Sequence, residues 1–488
     1  MTSSEPIDTI NQLPDKVLGA IFDYLDKEEV KNASLVCNRW NHIIFHSPYI
    51  ERFQLMLYDG SIRAREREML ETIEPTLVRT SARQQKQMKR KMQQQIRQQA
   101  LKEVLQSRRC YRYISYYMDY DFALQTMTTH RLQQLQKLWL DVNTTCFTSL
   151  DIWITFANAI PLMAQLHTLY IETSSSEGVC AYNVALIVSS ASVKLLSIDY
   201  DFPLVADMPA LETYKGPLDN LHRFGPNMPR NQFDKMQKLT IIRSEYANKW
   251  TVNDYREFFR RLPNLQRIKS KYNASGNDLF TAMCETCSTL QELVCWTADI
   301  SSFHLLTNLT NLRRIQLEGS SAPAFVSLDL SALTNLEHLD LGDLSVKRSF
   351  IHNLPHSITN LALRVTHQSE RSLMRAITSS MTQLIELRVE LNGDFNVPNF
   401  DPNATLKLLP LLKRLEVFEF NGGYFSESCL LDMNTPMHRL RKLLFIWCQL
   451  DTTNLKGLHE KFPKLKELGF KYCRLKSDDS IDNGYQRF

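Results

Sequence analysis

A short apolar motif recurs along most of the chain, and it restricts the fold more than any other feature. It consists of an apolar residue, two variable positions, a second apolar residue, one variable position and a third apolar residue. The full matches are Leu135/Leu138/Leu140, Leu166/Leu169/Ile171, Val193/Leu196/Ile198, Met236/Leu239/Ile241, Leu312/Ile315/Leu317, Leu336/Leu339/Leu341, Ile358/Leu361/Leu363, Leu384/Leu387/Val389, Leu412/Leu415/Val417, Leu440/Leu443/Phe445 and Leu465/Leu468/Phe470. Copies beginning at Leu211, Leu265 and Leu290 keep two of the three apolar residues, and Tyr111/Ile114/Tyr116 fits a capping copy.

The spacing of the copies is that of leucine-rich repeats. Successive copies begin about 25 residues apart, within the 20–29 residues expected of that repeat. Asn or Cys at the ninth position hydrogen-bonds the backbone in such repeats, and Asn143, Asn273, Asn392, Cys448 and Cys473 stand there. One repeat cannot bury its apolar face alone, so the copies must stack. The sequence predicts an α/β solenoid, a curved horseshoe of about 14–15 irregular repeats with parallel strands inside and helices outside.

The first fifty residues follow a different pattern. A Leu-Pro pair precedes an apolar helical stripe, and the capping-box spacing of Asp26 and Glu29 predicts the start of a second helix. Nine apolar and aromatic residues carry this pattern, namely Leu13, Pro14, Val17, Leu18, Ile21, Phe22, Val36, Cys37 and Trp40. Short helices totalling about forty residues bury too little surface to be stable alone, so the module is expected to need a partner.

This segment resembles the F-box over residues 10–50, through its Leu-Pro pair, its first apolar helix and its Val-Cys-x-x-Trp core. F-boxes bind the adaptor subunit of a cullin–RING ubiquitin ligase, and members with leucine-rich repeats hold the target protein on the repeats. The resemblance implies adaptor-binding or core roles for the nine residues named above. Many F-boxes end in Leu-Trp where this chain has Pro48-Tyr49-Ile50, which leaves the docking of the last helix open.

Four segments follow from these patterns. We expect an F-box at 8–55, a basic Gln-rich helical spacer at 56–109, the repeats at 110–475 and a polar, frayed tail at 476–488. The segment 203–229 is rich in Pro and is predicted to be either an irregular loop or a break in the curvature of the repeats.

The basic segment carries the positive charge of the whole chain. The chain has a net charge of +4, whereas residues 63–109 hold thirteen Lys and Arg against five Asp and Glu. Met88, Met92, Ile96 and Val104 follow helical spacing. We favour a solvated helical spacer because no aromatic residues interrupt the run. The alternative is a nuclear import signal or a nucleic-acid-binding segment at 83–109.

No arrangement of residues in the sequence predicts catalysis. There is no phosphate-binding glycine loop, and no nucleophile or paired-carboxylate grouping can be assembled. Cys284, Cys287 and Cys295 could suggest zinc, but no second Cys pair follows at the required spacing, so we expect buried thiols, no metal and no cofactor. The chain is therefore predicted not to be an enzyme. With ten cysteines, no signal-like start and no long apolar run, it is expected in the cytoplasm or nucleus, away from membranes.

Strand positions that flank the buried leucines should face a partner. Aromatic side chains beside charges are typical of protein-binding surfaces. The predicted substrate-binding residues on the concave face are Trp139, Asp141, Tyr170, Glu172, Arg267, Lys269, Lys271, Trp296, Arg388 and Glu390.

The function predicted from these patterns is that of a substrate-recognition subunit of a ubiquitin ligase. Its expected partners are the adaptor, through it the cullin, and an unidentified target protein. The alternatives are a non-degradative F-box scaffold and a nuclear nucleic-acid-associated protein that acts through residues 83–109.

Overall fold

A computed structural model of the chain describes most of the repeats and the N-terminal helices. The described residues are 12–46, 53–56, 111–118, 129–142, 150–173, 186–199, 204–222, 236–244, 250–270, 276–296, 300–319, 328–366, 369–392, 402–426, 429–475, 478–482 and 485–487, with residue 10 and residues 84, 87, 88, 91, 95 and 99. The chain forms two compact units, 1–238 and 239–488.

The first unit begins with three short helices, α1 (Asp15–Phe22), α2 (Lys27–Ala33) and α3 (Asn38–His46). The predicted capping box at α2 is confirmed. The Asp26 carboxylate accepts a hydrogen bond from the Glu29 N–H, and the Glu29 carboxylate accepts one from the Asp26 N–H, both at 2.9 Å. These bonds satisfy backbone donors that a helix start otherwise leaves unpaired.

The three helices share a small apolar core. Its buried members are Leu18, Phe22, Val30, Ala33, Ile43, Ile44 and Phe45, with Leu13, Leu25, Trp40, Phe53 and Tyr111 packed against them. The rings of Phe22 and Trp40 meet edge to face, with centroids 5.2 Å apart. Because Phe53 and Tyr111 lie beyond the helices, the module is packed onto the start of the repeats.

A parallel sheet carries the repeats of the first unit. Its strands are β1 (Gln54–Met56), β2 (Tyr113–Met118), β3 (Lys137–Val142), β4 (Thr168–Thr173), β6 (Leu195–Ile198) and β8 (Thr213–Lys215), each paired with the next. Between them lie α4 (Thr129–Gln134), α5 (Leu150–Ala159) and a separate parallel pair, β5 (Leu186–Ser189) with β7 (Leu204–Asp207). The prediction of an irregular loop at 203–229 is wrong for its described part, because β7 and β8 lie there.

Strand β1 corrects the predicted role of residues 56–109. β1 ends at Met56, the first residue of this segment, and β2 follows the segment, yet Gln54, Leu55 and Met56 pair directly with residues 113–115. The two ends of the segment therefore meet at one edge of the sheet. It cannot set the distance between the helical module and the repeats as a spacer would. After Met56, the six described residues of the segment are helical and exposed, as predicted for them, and Met92, Ile96 and Val104 lie outside the described residues.

The second unit continues the same architecture. Its main sheet contains β9 (Ile241–Ser244), β10 (Arg267–Ser270), β11 (Glu292–Trp296), β12 (Arg314–Glu318), β13 (His338–Ser345), β14 (Asn360–Thr366), β15 (Glu386–Asn392), β16 (Val417–Asn421), β18 (Lys442–Ile446) and β20 (Glu467–Lys471), all parallel. The connecting helices are α6 (Val252–Arg260), α7 (Asn277–Thr286), α8 (Arg348–His352), α9 (Glu370–Ser380), α10 (Asn403–Leu408) and α11 (Leu458–Lys461). The predicted fold of parallel strands joined by helices is confirmed in both units.

Two repeats have a register that differs from the prediction by three residues. Ile242 pairs with Ile268, so the motif there begins at Leu239 and not at Met236. Phe418 pairs with Leu387, so the later motif begins at Leu415 and not at Leu412. In both cases an apolar residue stands three residues before the true first residue of the motif, in the turn before the strand. This spacing equals that of the first two motif residues, so the sequence pattern alone cannot distinguish the two registers.

The ninth position behaves as predicted at its two described cysteine side chains. The Cys448 thiol donates to the Gly422 carbonyl at 3.3 Å, and the Cys473 thiol donates to the Phe445 carbonyl at 3.3 Å. Each bond links one repeat to the preceding one. Asn143 and Asn273 lie outside the described residues.

The prediction that the C-terminal tail is frayed is wrong for its described residues, which form paired strands. A side sheet runs through β17 (Tyr424–Phe425), β19 (Gln449–Leu450) and β21 (Cys473–Leu475) and ends in an antiparallel strand, β22 (Asp478–Asp482). A last strand, β23 (Tyr485–Arg487), pairs antiparallel with β20. The tail thereby covers the open edge of the final repeat, which would otherwise present unpaired backbone groups.

Asn454 is a buried residue that ties two outer segments together. Its side-chain oxygen accepts the Leu430 N–H at 2.9 Å, and its amide donates to the Ser426 carbonyl at 2.6 Å. We expect Asn454→Ala to lower the free energy of unfolding by about 1–3 kcal/mol, because these buried groups lose their partner. The measurement is chemical denaturation of the full chain.

The matched control is Asn335→Ala, which removes one exposed hydrogen bond to the Thr310 carbonyl. Water can replace that bond, so stability should change by less than about 0.5 kcal/mol. Equal effects of the two substitutions would contradict the role given to Asn454.

Candidate functional site

The helical module presents apolar side chains to solvent. Val17 and Ile21 lie on α1, Tyr24 lies two residues after its end, and the three side chains are 42%, 37% and 92% exposed. Leu35 and Val36, just after α2, are 77% and 62% exposed. Several exposed apolar side chains on one small module are typical of a surface that binds another protein. We call these five residues the apolar surface of the module.

The structure divides the nine predicted adaptor residues between this surface and the core. Pro14, Val17, Ile21 and Val36 are exposed, whereas Leu13, Cys37 and Trp40 are half-buried. Leu18 and Phe22 are fully buried in the core and offer no surface to a partner, so of the two predicted roles they have the core role and are not adaptor-binding residues. Their role is to hold the helices together.

Arg39 fixes the start of α1 against α3. Its guanidinium donates to the Leu13 carbonyl at 2.5 Å and to the Asp15 carboxylate at 2.6 Å. The bond to Leu13 positions the Leu-Pro turn, and the ion pair holds the first helical residue. The turn that begins the module is thus held from a residue 26 positions later in the chain.

The strand face of the first unit brings four predicted residues together. Trp139 pairs with Tyr170 across β3 and β4, with ring centroids 5.4 Å apart, and Asp141 pairs with Glu172. Burial raises the pKa of Glu172, Lys215 opposes that rise, and Asp141 adds to it. The result is an aromatic pair beside two carboxylates.

The basic cluster predicted in the middle of the chain is only partly described. Arg267 lies 3.5 Å from the carboxylate of Glu292, and Lys269 pairs in register with Arg243 of the neighbouring strand. Lys271 lies outside the described residues. Arg267 is therefore part of an ion pair within the sheet.

The remaining predicted residues, Trp296, Arg388 and Glu390, line one depression of about 250 Å³ on the strand face of the second unit. Arg388 lies 2.6 Å from the Glu419 carboxylate, and Glu390 lies 2.5 Å from the Arg364 guanidinium. Sequence spacing alone could not show that Trp296 lines the same depression as Arg388 and Glu390, which lie more than ninety residues later in the chain.

Two exposed aromatic residues were not predicted. Trp447 and Tyr472 directly follow β18 and β20, and their rings stack with centroids 4.4 Å apart. Both have positive φ values, 54° and 56°, which are unfavourable for bulky residues. Both stand directly before a ninth-position residue, Cys448 or Cys473, and this repeated position could have identified them as exposed aromatic residues from the sequence.

The cysteines near α7 are buried. Burial is the largest cause that raises the pKa of Cys287 and Cys295, each to about 12, and it also raises the pKa of Cys284. Buried thiols with raised pKa values are protonated at neutral pH and unreactive as nucleophiles. Among the described residues, no group of three or more Cys, His, Asp or Glu could hold a metal ion.

The chain therefore has a helical module that carries an apolar surface and repeats that carry aromatic and charged side chains. Residues 10–50 match the family model described as F-box-like. The chain thus combines an F-box-like domain with leucine-rich repeats. No curated protein sequence matches the chain.

Solved structures with similar folds were also found. The leucine-rich repeat-containing protein LegL7 from Legionella pneumophila is 14% identical, with a TM-score of 0.31, over 56% of this chain and 86% of that chain. The structure of the yeast Rad7 and Elc1 complex is 14% identical, with a TM-score of 0.37, over 60% of this chain and 79% of that chain. The mouse RP105/MD-1 complex is 10% identical, with a TM-score of 0.38, over 74% of this chain and 75% of that chain. At these identities and TM-scores the likenesses carry no argument about function. Within the described residues, no helix is long and apolar enough to cross a membrane.

Proposed function

We propose that this protein is the substrate-recognition subunit of a cullin–RING ubiquitin ligase. The observation that carries the proposal is the apolar surface of the F-box-like domain, which a monomeric protein would have little reason to expose. The adaptor subunit would cover Val17, Ile21, Tyr24, Leu35 and Val36, and would connect the chain to the cullin. The exposed strand faces of the repeats would hold the target protein.

The chain would contribute no chemistry of its own to ubiquitin transfer. Its effect would come from tethering, because holding a target lysine near the charged ubiquitin carrier raises their effective concentration. The module packs directly on the first repeats through Phe53 and Tyr111, so a target bound to the first unit would be held by a short, ordered connection. We propose the cytoplasm or the nucleus as the place of action.

A charge introduced into the apolar surface tests the proposal. We expect the double substitution Val17→Glu/Val36→Glu to weaken adaptor binding at least about tenfold, since each carboxylate would be buried without a partner in the interface. Both residues are exposed, so the chain should fold normally. The measurement is the dissociation constant between the purified full chain and purified adaptor.

Lys16→Glu is the matched control, because Lys16 is exposed on α1 but lies outside the apolar surface. Its affinity for the adaptor should match that of the unmodified chain. If the double variant bound the adaptor as tightly as this control, the proposed function would be wrong. If bound target proteins did not accumulate when the proteasome is inhibited, a non-degradative scaffold would be favoured instead.

A further inference from the structure

The strand face of the second unit consists of rows of outward side chains. Side chains alternate between the two faces of a strand, so residues at the same motif position in successive strands form a row. Trp296 pairs in register with Glu318 across β11 and β12, and Arg364 pairs in register with Glu390 across β14 and β15. Gly342 is a gap between these two pairs, because the pairing of β13 with β14 shifts register between Asp340 and Ser345, and Arg364 pairs there with Ser345.

A second gap lies in the neighbouring row. That row passes through Gln316, Asp340, Ala362 and Arg388, which pair in register across β12 to β15. The small residues Gly342 and Ala362 both line the depression of about 250 Å³. Pockets for drug-sized ligands usually measure about 300–1,000 Å³, so this one suits a single long side chain better.

The charge around the depression is negative. Three carboxylates line it, those of Glu318, Asp340 and Glu390, against one guanidinium, that of Arg388. Two further groups pair with lining residues from outside the lining, Arg364 with Glu390 and Glu419 with Arg388. These six groups together carry an excess of two negative charges. This excess would attract a cation.

The wall of the depression adds an aromatic ring. Trp296 lies beside Glu318 in register, at one side of the depression. A cation over an indole ring is attracted to its face, and a guanidinium can in addition stack flat and bind a carboxylate through two N–H groups. An arginine side chain can therefore stack on the indole ring and also donate hydrogen bonds to the carboxylates.

We infer that the depression receives an arginine side chain of the target protein, an inference that rests on the proposed function. The guanidinium would lie against Trp296 and donate hydrogen bonds to Glu318 and Asp340. Gly342 and Ala362 would give room to the aliphatic part of the side chain. The second unit would then select targets by an exposed arginine.

The test uses the full chain with 5-fluorotryptophan in place of its six tryptophans and the peptide acetyl-Gly-Arg-Gly-amide as the probe. Trp296→Phe assigns the Trp296 fluorine resonance. We expect the probe to shift this resonance with a dissociation constant on the order of 10 mM or below, as one cation–π contact with charge pairing allows. The same peptide with neutral citrulline should bind at least about tenfold more weakly, because it lacks the charge that both the ring and the carboxylates attract.

The variant Glu318→Gln/Asp340→Asn should bind the arginine peptide at least about tenfold more weakly, because both charge-assisted hydrogen bonds are lost. Asp340 accepts the Gly342 N–H through a side-chain oxygen at 2.9 Å. The amide oxygen introduced by the substitution can accept the same N–H, so the local fold should persist. The control is Glu337→Gln, an exposed carboxylate just before β13, which should leave binding unchanged.

Equal binding of the citrulline peptide, or unchanged binding by the double variant, would overturn the inference. Absence of any shift at Trp296 would overturn it too. The adaptor measurement is independent, because it depends on the helical module. Loss of the arginine response with intact adaptor binding would therefore refute only the arginine site, and the reverse result would refute only the proposed function.

Discussion

Phe22→Ala is expected to unfold the F-box-like domain while the repeats of the second unit remain folded. Phe22 is fully buried and packs edge to face on Trp40, and the described core of the module contains only seven buried apolar residues. Removing a buried phenylalanine costs about 3–5 kcal/mol. A module of about forty residues cannot absorb that loss. Hydrogen exchange of the full chain should show loss of protection in residues 15–45.

The matched substitution is Val17→Ala, one helical turn earlier on the exposed side of α1. It removes no core contact, so protection of residues 15–45 should be retained while the adaptor binds more weakly. This pair of variants separates a residue that maintains the fold from one that contacts the partner. Normal protection in Phe22→Ala would contradict the assignment of Phe22 to the core.

Gly342→Ala is expected to destabilise the second unit by at least about 3 kcal/mol, because an unfavourable backbone conformation and a steric clash add together. Gly342 has a φ of 50°, a conformation that costs a residue with a Cβ about 1–2 kcal/mol. An added Cβ would in addition lie far inside van der Waals contact with the Leu317 carbonyl oxygen of the neighbouring strand. Neither strand can move away without losing its pairing. Hydrogen exchange in β12, β13 and β14 is the appropriate measurement, because repeats lose stability locally.

Gly457→Ala separates the two causes. Gly457 also has a positive φ, 81°, but an added Cβ would meet no atom within 4 Å. Its cost should be limited to about 1–2 kcal/mol for the backbone conformation. If the two variants lowered the free energy of unfolding by the same amount, the clash with Leu317 would contribute nothing to the effect of Gly342→Ala.

The repeat architecture could be predicted because its signal is periodic. Buried strand residues must be apolar and must recur with each strand, so Leu138, Leu169 and Leu196 identify their strands without further information. Register failed where this signal was duplicated, at Met236 and Leu412. The addition of β1 to the sheet could not be predicted, because three residues have no period, and its partner strand lies on the far side of the basic segment.

The candidate sites were predictable in composition but not in geometry. In the helical module, apolar residues cover most of α1, so the pattern could not assign Val17 to the surface and Leu18 to the core. On the strand face, the pattern identified Trp296, Arg388 and Glu390 as outward. It could not show that Gly342 and Ala362 leave a depression between them, because a gap depends on the neighbours in space.

The in-register stacking of strands also determines how binding to this protein can be mapped. Neighbours on the strand face are far apart in sequence: Arg364 contacts Glu390, 26 residues later, and Arg388 contacts Glu419, 31 residues later. No short synthetic peptide copied from the chain can therefore reproduce a contiguous part of this surface. Progressive deletion from the C-terminus would remove β23 first and then whole strands, so it would report loss of folding before loss of contact. Single substitutions in the outward rows are the way to locate a bound protein.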